Sequence, residues 1–297
     1  MSPKLILQLH VHSNRSHDCE VSIREYVEYL NKNLKDDEFS ILGITDHNVL
    51  PIKTKEAINL STKKVLVVPG IQWKLHKTLG QAWTKLCTRR EILTLGNHDN
   101  LRDYIKKQTP YKILKNQEIS GNLEEEEFLD YISENKDIII IIPHPRHFGV
   151  DYYGAKEIKD LKQKIGRRKL SILFFVEEKT GYDPFPRIFH NYRRGYLILG
   201  GSDAHEIKSF IGTNSLFSAY SQIECSKRIP RLIQKIASTK NSKLYKKSLK
   251  IIFRLIAMKN KKIKIIKNYL RSNIQFLGSI PRWFKRRLEN FPYNLTK

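Results

Sequence analysis

The chain has 297 residues, 40% of them hydrophobic, with 54 Lys plus Arg against 30 Asp plus Glu and a net charge of +24. That is enough for one large core, and barrels routinely occupy such a length as a single domain. The three cysteines, Cys19, Cys87 and Cys225, are odd in number and widely spaced, which argues against a disulfide framework or a cysteine-based zinc site and fits a reducing cytoplasm. Met1 to Leu7 lacks the charged-then-apolar pattern of a leader. The purest apolar run, Ile138 to Ile142, is too short to span a bilayer, so the expectation is a soluble, unprocessed chain with no transmembrane segment.

In chain order, Leu5 to His12 predicts a strand, and Ser22-Ile23-Arg24-Glu25 is a capping box opening a helix to about Leu34. Phe39 to Thr45 is the next strand, then a weak helix near Lys55 to Leu60, a strand at Val65 to Val68, and a short one at Ile92 to Leu95. Glu124 to Asn135 reads as a helix whose early glutamates suit its N-terminal dipole. Strands follow at Ile138 to Ile142, Leu170 to Val176 and Tyr196 to Leu199. Strands alternating with helices predict parallel strands with helical crossovers, as a closed barrel or an open doubly wound sheet. From 249 onward Leu249, Ile252, Ile256, Ile263, Ile266 and Leu270 keep helical spacing, with lysines on the other faces, which predicts an amphipathic basic helix or helix pair.

The charge is uneven. Residues 227–297 hold 21 Lys plus Arg against the single acid Glu289, whereas residues 1–226 hold 33 against 29. This break predicts a catalytic domain at 1–226 and a polybasic, mostly helical extension at 227–297. Such a run is either solvated surface or an attractor of nucleic acid or anionic lipid.

The chemistry concentrates at strand ends. His10-Val11-His12 closes the first strand, Asp46-His47 the second, His144 follows the Ile138 to Ile142 run, and Asp203-Ala204-His205 follows the Tyr196 strand. The C-terminal ends of parallel strands converge on one face, so five of the ten histidines are expected to meet there. Alternation with a period of two sends both imidazoles of the HxH pair to one side. Asp203 and His205 have the same spacing, and imidazole with carboxylate suits zinc, manganese or iron.

Leu9-His10-Val11-His12-Ser13, Ile44-Thr45-Asp46-His47-Asn48, Pro69-Gly70-Ile71-Gln72, Pro143-His144-Pro145-Arg146 and Gly201-Ser202-Asp203-Ala204-His205 together resemble, in order, the motifs of the PHP (polymerase and histidinol phosphatase) family over about residues 4 to 215. The resemblance implies a distorted seven-stranded β/α barrel, two or three divalent ions (Mn, Zn or Fe) and hydrolysis of phosphate esters. It implies His10, His12, Asp18, His47, Gln72, His144, Asp203 and His205 as metal ligands. Asp46 and Arg146 are the catalytic candidates, and His98, Glu177, Arg15 and His17 are additional ones; Arg15 and Arg146 suit phosphate clamping, and His17 or His147 suits protonation of a leaving oxygen. Two departures stand out: Gln72 where the family carries a bridging glutamate, and Gln8 where it carries an acid. A metal-dependent phosphoesterase acting on a small phosphomonoester or nucleotide is the expected function. The alternatives are a nuclease holding single strands with its basic tail, and a degenerate domain that binds metal or ligand without turnover.

Overall fold

The computed structural model describes residues 2–77, 88–107, 111–120, 123–135, 137–143, 155–168, 172–179, 197–207, 219–259 and 264–267. The described elements are, in order, β1 (Lys4–Val11), α1 (Ile23–Asn33), β2 (Glu38–Ile44), α2 (Thr54–Leu60), β3 (Val65–Lys77), β4 (Thr88–Gly96), α3 (Leu101–Lys107), β5 (Lys112–Ile113), β6 (Ile119–Ser120), α4 (Glu125–Glu134), β7 (Ile138–Ile142), α5 (Ala155–Arg167), β8 (Leu173–Lys179), β9 (Leu197–Gly200), β10 (Ala219–Glu224), α6 (Arg228–Thr239), α7 (Ser242–Lys259) and β11 (Lys264–Lys267). The predicted capping box forms: Glu25 N–H donates to Ser22 Oγ and Ser22 N–H to Glu25 Oε2, at 3.2 and 2.7 Å.

Nine strands share one mixed sheet, ordered β11-β10-β1-β2-β3-β4-β7-β8-β9. It curls into a nearly closed barrel, because the chain after β9 returns to β1. Val11 and Ala204 form a parallel bridge, and the His12 N–H donates to the Ala204 carbonyl at 2.9 Å. The sequence pattern predicts parallel strands throughout, but β4 runs antiparallel to both β3 and β7, and β10 is antiparallel to β1. An apolar run records burial and carries no sign of direction, so the long β3–β4 hairpin escaped the pattern.

Alternate residues of β4, β7 and β8 serve two cores. Leu93, Leu95, Ile139, Ile141, Phe175 and Leu199 join the residues of β1, β2 and β3 in the larger core. Their neighbours Ile92, Ile138, Ile140, Ile142, Phe174 and Val176 pack with Trp73, Phe128 and Tyr131 under α3, α4 and α5. Inside the barrel, a Cβ on Gly43 or Gly70 would stand 2.8 or 2.3 Å from Leu95 Cδ2, so glycine at both positions admits the Leu95 side chain.

The helical spacing read through Leu270 breaks earlier: α7 ends at Lys259, and Lys264–Lys267 pairs antiparallel with β10. Ile229, Ile233, Ile236, Leu249, Ile252 and Ile256 all belong to the larger core, and Tyr245 donates its hydroxyl to the Val67 carbonyl at 2.6 Å. Apolar residues on both sides of the charge break are therefore packed together. No described helix is long and apolar enough to cross a membrane.

Candidate metal centre

The barrel's interior face ends in polar side chains. β1 delivers His10 and, just past its end, His12, both fully buried. The His10 Nδ1–H donates to Glu177 at the end of β8, 3.1 Å from Oε1, which leaves Nε2 facing inward. Around that nitrogen lie Gln72 Oε1 at 2.9 Å, Asp203 Oδ1 at 3.1 Å and His12 Nε2 at 3.3 Å; Asp203 Oδ1 is also 3.2 Å from His12 Nε2. A second set meets at Asp18, whose Oδ2 lies 3.1 Å from His47 Nε2 and 3.0 Å from His205 Nε2. The His47 and His205 rings stack on that of His12 at centroid distances of 4.3 and 4.2 Å.

The local backbone explains the convergence. Asp203 adopts a left-handed conformation, φ 48°, unusual for a residue with a side chain. The turn it makes lets its carbonyl accept from His205 Nδ1 at 2.9 Å while its carboxylate faces the two β1 histidines. Ser202 Oγ donates to the His10 carbonyl at 2.9 Å and ties this turn to β1. A Cβ on Gly201 would lie 2.1 Å from Glu177 Oε1, so the glycine of the fifth motif makes room for the carboxylate that orients His10.

Two overlapping donor groups result: His12, Asp18, His47 and His205, and His10, His12 and Asp203, each with its ligand atoms within 4.8 Å of one another. Ligands about 2.1 Å from one ion stand roughly 3.0 Å apart at octahedral and 3.4 Å at tetrahedral angles. The edges of 3.0 to 3.3 Å around Asp18 and Asp203 match that spacing, and Gln72 Oε1 completes the Asp203 group as a neutral oxygen donor. The residues therefore fit divalent ions.

The electrostatics agree. Burial alone would lower the His10 imidazole, but Asp203 and Glu177 override it and hold it well above its ordinary value: this spot demands a positive charge, from a proton or from a metal. Burial and the neighbouring His47 and His205 push His12 well below the ordinary range, so it stays neutral, as a ligand must. Burial raises the Asp18 carboxyl, yet hydrogen bonds from His205 and His47 outweigh it and keep Asp18 ionised.

The remaining candidates fall elsewhere. Asp46 accepts from Ser13 N–H and Oγ–H at 2.6 and 2.9 Å and is in neither donor group; burial pushes it up to about 6. Arg15 donates to the Leu50 carbonyl at 2.6 Å, so that arm of its guanidinium is occupied. His17 is exposed, its ring 5.8 Å from that of His47. His98, weighed as a ligand against an exposed loop histidine, is neither among the described residues: it is buried, with Nδ1 2.7 Å from the Tyr131 hydroxyl. Gln8 is buried, and neither end of its amide has a partner among the described residues. His144, Arg146 and His147 lie outside the described residues. Sequence reasoning placed Gly201 in the fifth motif but missed what it does, which is to leave room for the Glu177 carboxylate.

The sequence matches no family model and none of the curated proteins. Among solved structures, the chain is similar to a protein of Bifidobacterium adolescentis assigned as a metal-dependent phosphoesterase. Identity is 12% and the TM-score 0.43, over 67% of this chain and 87% of that one. It is also similar to a lesion-specific endonuclease of Pyrococcus furiosus, at 17% identity and a TM-score of 0.47, over 78% of this chain and 56% of the endonuclease. Both likenesses are partial, with TM-scores below 0.5.

Proposed function

We propose that the chain is a metal-dependent phosphoesterase that hydrolyses a phosphate ester with water. The observation that carries this reading is the pair of donor groups sharing His12, the arrangement that two divalent ions a few ångströms apart require. His12, Asp18, His47 and His205 would hold one ion, and His10, His12, Asp203 and Gln72 the other. Such ions polarise phosphoryl oxygens and make water nucleophilic near neutral pH. The chain's own part is to fix the geometry: Glu177 sets the His10 ring by accepting from Nδ1, and Ser202 anchors the β1 carbonyl. In this reading residues 1–226 carry the chemistry, and the described part of the polybasic extension, 227–259 and 264–267, supports the barrel's packing.

The test is phosphate release from p-nitrophenyl phosphate, sugar phosphates and nucleotides, together with elemental analysis of the purified protein. Manganese-dependent release that a chelator abolishes is expected. Metal-loaded protein that releases nothing from any of these and cleaves no oligonucleotide would leave only the reading of a binding domain without turnover, which the neutral Gln72 favours.

A cleft of about 420 Å³ supports a second reading, a nuclease. Arg24 at the start of α1 and Lys53 and Lys55 at the start of α2 line it together with one carboxylate, Glu56, and among the described residues none of the three cations has an ion-pair partner. The helix starts that carry these residues follow the loops that hold Asp18 and His47. Salt-sensitive binding of single strands, weakened by reversing these charges, is the measurement that separates the readings.

A further inference from the structure

Side chains alternate along a strand, so Gly70, Gln72 and Lys74 share one face of β3. Gln72 on that face reaches His10, and Lys74 stands one position further along it. The Lys74 backbone is pinned beside the cluster: its N–H donates to Oδ1 of Asn48, the residue after His47, at 2.9 Å. The side chain is half-buried, and among the described residues nothing accepts from the ammonium. A cation held in a partly desolvated place without a counter-ion is costly unless a ligand supplies one.

The charges at the centre say what that ligand is. The described carboxylates facing the donors are Asp18, Asp203 and Glu177; Asp46 stands apart, tied to Ser13 and close to the Arg15 charge. Two divalent ions with Lys74 bring five positive charges against these three, and the amide at Gln72 does nothing to reduce the surplus. We infer that Lys74 is a phosphoryl-binding residue of this site and that the group it selects is the dianion of a phosphomonoester rather than the monoanion of a diester. A dianion closes the balance, and a terminal phosphate presents the three oxygens that an ammonium with three donors can engage. This rests on the phosphoesterase reading and narrows its substrate.

The experiment uses the full chain with manganese and reads binding rather than turnover: calorimetric Kd values for inorganic phosphate and dimethyl phosphate, with metal content measured on the same samples. Wild type is expected to prefer phosphate by at least about tenfold. Lys74→Gln should weaken phosphate by about 10- to 100-fold, the range for a lost charge-assisted hydrogen bond, while the dimethyl phosphate affinity and the metal content hold. Lys74→Arg should recover part of the loss. Gln72→Glu, which removes one unit of the surplus while leaving Lys74 in place, should also weaken phosphate. Phosphate affinity unchanged in Lys74→Gln, a metal content that falls with it, or equal affinity for diester and monoester would each overturn the inference. The two readings fail separately: phosphate binding that depends on Lys74, without release from any ester, defeats only the phosphoesterase reading, whereas release with no dependence on Lys74 defeats only this one.

Discussion

His12 and His98 are both buried histidines just beyond a strand end, and their surroundings make them opposites. His12 faces Asp203 Oδ1 at 3.2 Å, His10 Nε2 at 3.3 Å and two stacked imidazoles, on the rim built from β1, β2 and the return after β9. His98 follows β4, and its ring stacks on Tyr131 while Nδ1 meets the Tyr131 hydroxyl at 2.7 Å; no described carboxylate belongs to a donor group with it. Carboxylates and other imidazoles converge on the one, whereas an aromatic ring covers the other and its Nε2 has no partner among the described residues. The distinction lies in what distant segments bring.

The sharpest way to break this contrast is His12→Ala, because His12 belongs to both donor groups. Metal affinity is expected to fall by more than about 100-fold, beyond the loss usual for an outer partner, with both ions affected in elemental analysis. Loss of one ion alone would show that His12 is not shared.

For His98 the expected effect is on stability. Burial lowers its imidazole from 6.5 to about 4. Between those values the unfolded chain binds a proton that the folded chain refuses, so the folded state loses stability as pH falls through that window, by up to about 3 kcal/mol. Denaturant melts of wild type and His98→Phe between pH 7 and 4.5 measure this. The variant should lose less on acidification, at unchanged metal content; parallel losses would point to another group.

A smaller effect is expected at the partner that orients a ligand. Glu177→Gln keeps the size of the side chain but offers His10 Nδ1–H a weaker acceptor, and metal affinity should fall by about 10- to 100-fold. An unchanged manganese titration would make Glu177 a packing residue of the barrel interior.

Much of the rim was legible because its signals are local. The HxH pair needs only the alternation of one strand, and Asp203-Ala204-His205 only the turn after another; the capping box at Ser22 was equally plain. What stayed hidden depends on partners far along the chain. The role of Glu177 requires His10 across the barrel, and the burial of His98 requires Tyr131 from α4. The reversed direction of β4 required its hairpin with β3. The apolar stripe of α7 reads as one face of an amphipathic helix, and which part of the sheet it meets becomes plain only with Tyr245 and Ile252 in place.

The closure between β1 and the return after β9 also sets an order of events in folding. Leu5 pairs with Ile223, and His10 meets Asp203, so the first strand finds its outer neighbour, and the first motif its carboxylate, only when most of the chain has been made. Contacts of such separation are slow to form, since loop closure must precede them. A nascent chain would carry β1 with one edge open until β10 arrives, and its ligands would come together last. Metal would then act on the finished barrel, stabilising it after closure, and would have little influence on how fast the earlier strands assemble.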